Sequence, residues 1–109
     1  MADAMTGLDR LFATIAARQD ADPASSYTAK LLAQGVEKCA KKFGEEAVEA
    51  VIAAVQKDKT ELAKESADVL YHLAVLWAAS GLKPQDVYAV LESREGQSGL
   101  DEKASRPKA

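Results

Sequence analysis

Cysteine is almost missing from this chain: Cys39 stands alone, so no disulfide can form within it. Proline occurs only three times, which leaves room for long uninterrupted helices. No stretch alternates apolar and polar residues in the manner of a half-buried strand. No apolar run approaches the ~20 residues of a membrane span. The opening "MADAMTGLDR" lacks the basic region and apolar stretch of a signal peptide, so a cytoplasmic location is expected. Positive charge is not in excess either. A net charge of -3 and a pI near 5.1 argue against a general nucleic-acid-binding surface. They leave open a single nucleotide held locally.

What is present is a globular composition, 48% hydrophobic and 28% charged, in 109 residues, enough for one domain. A chain of this size buries only about two-thirds of its unfolded surface, so self-association would help it. Leu8, Leu11, Phe12 and Ile15 recur at helical spacing and predict a helix from about Met5 to Arg18. "DADPASS" breaks that pattern. "SYTAKLLAQG" reads as a short helix capped by Ser25 or Ser26 and interrupted near Gly35. A long helix follows from Val36 to about Lys57, with Gly44 inside it at some cost in propensity. Asp58 and Glu61 form an N-cap and N3 pair that opens another long helix, ending at Gly81. Pro84 suits the first position of a last, shorter helix marked by Val87, Val90 and Leu91. The expected fold is all-α: a domain over residues 1–95, with 96–109 as a mobile tail lacking any apolar period.

Within the long helix, "KKFGEEAVEAVIAAV" sets Glu45, Glu46 and Glu49 among Ala, Val and Ile. At about 100° per residue, Glu46 and Glu49 lie on one side, with Lys42 between them in angle one turn earlier. The next helix repeats the i, i+3 spacing with Glu65 and Asp68, and His72 shares their side. A turn near Lys57 and Asp58 makes the two helices an antiparallel hairpin. Glu46 with Asp68, and Glu49 with Glu65, then fall level across it, because both pairs are centred on Lys57. Two bare carboxylates about 5 Å apart repel by roughly 3 kcal/mol at an effective dielectric near 20. Several such pairs would rival the stability of a small domain. A cation is therefore expected, and Mg²⁺ fits best, since it prefers carboxylate oxygens, water and substrate phosphates. A solvated face paired with Lys38, Lys42 and Lys64 is the ordinary reading of one such pair, but a weaker one for two in register. A di-iron bundle would need Glu-x-x-His pairs, where this chain has "ESAD" and a single histidine.

"KKFGEEAVEAVIAA" followed by "ESADVLYHL" resembles the EExxE…ExxD signature of the all-α, MazG-like nucleotide pyrophosphatases. "SYTAKLL", "KCAKKFGEEAVE", "ESADVLYHLAVL" and "LESR" resemble, more narrowly, the phosphoribosyl-ATP pyrophosphatase family, from the first helix to Arg94. The resemblance implies Mg²⁺-dependent hydrolysis of phosphoribosyl-ATP to phosphoribosyl-AMP and pyrophosphate, in a homodimer. It assigns Glu46, Glu49, Glu65 and Asp68 to the metal, with Glu45 the extra acid of the motif and Lys38 and Lys42 basic positions upstream.

Glu45 or Glu49 would accept a proton from the attacking water, and Lys38 and Lys42 would hold phosphate oxygens. Tyr27 would stack on adenine or staple its short helix to the core. His72 reads first as a satisfied, partly buried structural histidine, and second as a group orienting a ligand or a carboxylate. Cys39 reads as a small buried packing residue, and Trp77, Leu73 and Leu76 as core or dimer contacts. Two other functions fit less well: a housekeeping pyrophosphatase for other nucleoside triphosphates, and a non-catalytic helical dimer that only presents a surface.

Overall fold

The structure, a computed structural model, describes residues 2–96, with side chains from Gly7 onward. The expected tail therefore lies almost wholly outside the described residues. Among these residues there is no strand. Five helices follow in order: α1 (Ala2–Ala17), α2 (Tyr27–Ala33), α3 (Val36–Val55), α4 (Lys59–Ser80) and α5 (Pro84–Ser93). Among the described residues no helix is long and apolar enough to cross a membrane.

Local chemistry sets most of these boundaries. The Ser26 hydroxyl accepts from the Ala29 amide at 3.1 Å and starts α2. Gly35, at φ 91, turns the chain into α3 through a conformation that a side chain would strain. α3 stops two residues short of the Lys57 expected from its periodicity. The Asp58 amide reaches back to the Ala53 carbonyl at 3.1 Å and the Lys57 amide to Ala54 at 3.0 Å, while Lys57 takes φ 60. This six-to-one, five-to-two pattern closes a helix C-terminus. Asp58 then caps α4, its carboxylate accepting from the Glu61 amide at 3.0 Å. Gly81, at φ 75, ends α4, and the Asp86 carboxylate accepts from the Lys83 amide at the start of α5.

α3 and α4 form the antiparallel hairpin, and α4 also packs against α1 and α2, with α5 resting on α1. The core gathers Ile15, Leu31, Cys39, Ala74 and Val75, with Leu11, Leu32, Tyr71 and Leu76 around it. The Cys39 thiol donates to the Leu31 carbonyl, and burial raises its pKa, so it is the packing residue expected. Trp77 is buried too. This core occupies the end of the hairpin that holds the start of α3 and the close of α4. Toward the turn, Val48, Val51, Ile52 and Val55 stay exposed, the last at 74%.

A candidate metal and nucleotide site

Cys39, Glu46 and Ala53 follow one another at intervals of seven, and Cys39 and Ala53 are the two fully buried residues of α3. Glu46 therefore lies on the buried line of the helix. Glu49, three residues on, falls to the margin and is exposed. Across the hairpin, Glu65 is half-buried and Asp68 exposed. Glu46, Glu65 and Asp68 each offer one carboxylate oxygen such that all lie within 4.8 Å of one another. Glu46 thus reaches both acids of α4 rather than Asp68 alone, and Glu49 is outside this group.

Crowding shows in the acid chemistry. Glu65 is pushed up to about 7 by desolvation first, then by a hydrogen bond with Glu61 and the negative charges of Glu46, Glu61 and Asp68. Glu61, the capping partner of Asp58, also stands one turn before Glu65, and that i, i+4 spacing is the sequence signal for its second contact. The donor set is oxygen only, hard and anionic, which fits a divalent cation such as Mg²⁺ or Mn²⁺ better than a thiophilic metal.

The other expected residues are arranged around this cluster. Lys42 Nζ lies 3.3 Å from a Glu45 oxygen one turn along α3, and that hydrogen bond raises the lysine's pKa, with Tyr27, Glu45 and Glu46 adding to it. Glu45 is thus engaged by Lys42 and not gathered with the acids. Lys38 is exposed. Tyr27 is exposed at 54%, its ring stacked on Tyr71 at 6.5 Å and edge-on to His72 at 6.4 Å. The Tyr71 hydroxyl is hydrogen-bonded to Thr28, tying α2 to α4. Tyr27 also borders an open hollow of about 570 Å³ with Pro23, Ser25 and Lys30.

His72 departs from the satisfied histidine expected of it. It is buried, at 6% exposure, but its Nδ1 has no hydrogen-bond partner. Burial lowers its pKa, Lys42 acts the same way, and Glu46, Asp68 and Glu45 oppose them.

The sequence profile described as "Phosphoribosyl-ATP pyrophosphohydrolase" matches residues 8–95. The chain is also 64% identical over 102 residues to a protein of Cereibacter sphaeroides, covering 94% of this chain and 99% of that one. It is 64% identical over 106 residues to one of Parvibaculum lavamentivorans, covering 97% of each. With one of Paracoccus denitrificans it shares 61% identity over 101 residues, 93% of this chain and 94% of the other. All of these relatives carry the name phosphoribosyl-ATP pyrophosphatase.

Proposed function

The chain belongs to the phosphoribosyl-ATP pyrophosphohydrolase family, and on that premise we propose that the Glu46–Glu65–Asp68 cluster is its hydrolytic centre. The protein hydrolyses phosphoribosyl-ATP to phosphoribosyl-AMP and pyrophosphate, the second step of histidine biosynthesis. Its setting on this reading is the cytoplasm. The observation that carries the site assignment is the meeting of carboxylates from two helices within 4.8 Å, one of them forced toward neutrality.

Glu46, Glu65 and Asp68 would hold Mg²⁺, with Glu49 close enough in angle to join through a water. Bound there, the ion supplies charge neutralisation for the phosphates and acidifies or orients the attacking water. Glu49 is the preferred acceptor of that water's proton, because it lies about 60° from Glu46 around α3 whereas Glu45 lies about 100° away. Lys42 exchanges its Glu45 partner for a phosphate oxygen when substrate arrives, and Lys38 adds positive charge one turn away. Tyr27 offers an exposed aromatic face to the adenine.

Pyrophosphate release from phosphoribosyl-ATP, measured with and without Mg²⁺ beside a panel of ordinary nucleoside triphosphates, tests this reading. Metal-dependent release confined to phosphoribosyl-ATP is expected. Equal release from the ordinary triphosphates would shift the assignment to a housekeeping pyrophosphatase.

The protein also works as a homodimer on this reading. Gly44, Val48, Val51 and Val55 form a seam spaced 4, 3 and 4 residues apart, on the face of α3 turned away from Glu46. A Cβ placed on Gly44 would meet nothing within 4 Å, so packing inside the chain does not require that glycine. A second copy laid along the seam accounts for both the glycine and the exposed valines. Sedimentation should show a dimer that Val51→Asp converts to a monomer with its helix content kept. A wild-type monomer at high concentration excludes the seam.

A further inference from the structure

Among the described residues, other interior polar side chains find partners, as the Tyr71 hydroxyl has Thr28 and the Cys39 thiol the Leu31 carbonyl. His72 Nδ1 does not. Buried polar atoms without partners are uncommon in native proteins and often mark a place completed by something else. A single water fills such a place only where it finds two or more polar partners. The ring's aromatic neighbours are Tyr71, 5.0 Å away at 79°, and Tyr27, 6.4 Å away at 89°, and neither is hydrogen-bonded to Nδ1.

The ring also stands beside the acidic cluster without belonging to it. It is one turn, about 6 Å of helix rise, beyond Asp68 on α4. It feels the charges of Glu46, Asp68 and Lys42, yet it is not among the side chains whose ligand atoms converge. Tyr27 connects this ring to the hollow beside Ser25 and Lys30. A molecule with phosphates on the acids and an aromatic, hydrogen-bonding end one turn away would span the two. That description fits a nucleotide whose nucleoside part lies against Tyr27.

We propose that His72 Nδ1 is a direct hydrogen-bond contact to the nucleoside part of the bound nucleotide, reached when the exposed Tyr27 ring turns to lie against the base. The proposal rests on the reading that the acidic cluster binds the substrate's phosphates. It adds a residue that sets which nucleotide is accepted rather than how fast the anhydride breaks. A site built to hydrogen-bond a ligand discriminates against analogues lacking the group, because its own buried atom is then left unpaired.

His72 is the only histidine in the chain, so its imidazole nitrogens give the only such signals in a ¹⁵N-labelled sample. Titration of the full chain with AMP in the presence of Mg²⁺ should move the Nδ1 resonance, whereas pyrophosphate with Mg²⁺ should leave it in place. His72→Phe, which keeps the aromatic volume, should weaken AMP binding by about tenfold and raise KM for phosphoribosyl-ATP similarly. Its affinity for Mg²⁺ alone, read by calorimetry, should stay within about twofold, with kcat changed far less than KM. An Nδ1 signal unmoved by saturating AMP overturns the proposal, as does one moved equally by pyrophosphate. So does a folded His72→Phe that binds AMP like the wild type. The wild-type titration decides the matter even if that variant fails to fold. Turnover of phosphoribosyl-ATP with a silent His72 removes the contact and keeps the site. A responsive His72 without turnover keeps the contact and removes the reaction.

Discussion

Three acids brought within 4.8 Å make Glu65 the residue whose proton reports on the site. Its carboxyl is raised from 4.5 to about 7, so in the metal-free protein its favourable contribution is complete below about 4.5 and is lost as pH rises through about 7. His72 is shifted the other way, so its contribution is lost as pH falls from its ordinary 6.5. Melting of the wild type alone mixes the two. Against Glu65→Gln, the metal-free wild type should lose ground steadily between pH 5 and 8, and a constant difference would show that Glu65 is not displaced. A cation must also expel the Glu65 proton at pH 6, so the apparent calorimetric enthalpy of Mg²⁺ binding should depend on the buffer's ionisation enthalpy. That dependence should vanish in Glu65→Gln. Asp68→Asn keeps volume and removes one repelling charge. Turnover should fall on the order of 10²-fold or more, the scale of losing a group that stabilises the transition state. The metal-free fold should melt no lower than the wild type. Wild-type turnover would show that Asp68 holds nothing. At this scale the sequence made the acids legible, because carboxylates at helical spacing on an apolar helix are conspicuous. Their ranking was less visible. It needed the line from Cys39 through Glu46 to Ala53, which places Glu46 inside and Glu49 at the margin. The unpaired Nδ1 of His72 lay beyond periodicity altogether, since partners are a property of three dimensions.

Helix boundaries were the most readable elements, because caps are local chemistry. Ser26, Asp58, Gly81 and Pro84 each sit where their backbone or side-chain preference directs. Asp58→Ala should cost about 1 kcal/mol, seen as a drop of a few degrees in Tm, with metal affinity at 25 °C little changed. The hairpin's pairing was legible in part: Glu46 meets Asp68 across it, but Glu65 meets them both and Glu49 is not in the group. An alanine inserted between Gly44 and Glu45 tests the register itself. With the core holding α3 at Cys39 and α4 at Ala74 and Val75, the insertion turns Glu46 by about 100° and shifts it about 1.5 Å relative to the α4 acids. Mg²⁺ affinity should collapse while circular dichroism retains most of the helix, since alanine favours helix. Undiminished binding by that folded variant would refute a site shared between α3 and α4.

For the whole molecule, the absence of strand alternation was enough to give the all-α class. It could not say that the core would collect at the start of α3, because the apolar residues of that helix are denser toward its other end, in VEAVIAAV. The domain is expected to close at residue 95. A chain stopped after Glu95 should keep its helix content and melting temperature, and a fall of many degrees would show that the remaining residues dock on the body. The off-centre core has a further consequence, in the rates at which backbone amides exchange with solvent deuterium. Protection should be greatest around Cys39, Ala74 and Val75 and should fall along the hairpin toward Gln56 and Lys57. The acidic cluster lies between these extremes, so a bound cation would clip the two helices together part-way along and slow exchange mainly on the side of the turn. A metal-dependent change confined to the core end would contradict that picture. Slow exchange at the turn in the dimer, lost on dilution, would show that the protein's softest segment is firm only in company.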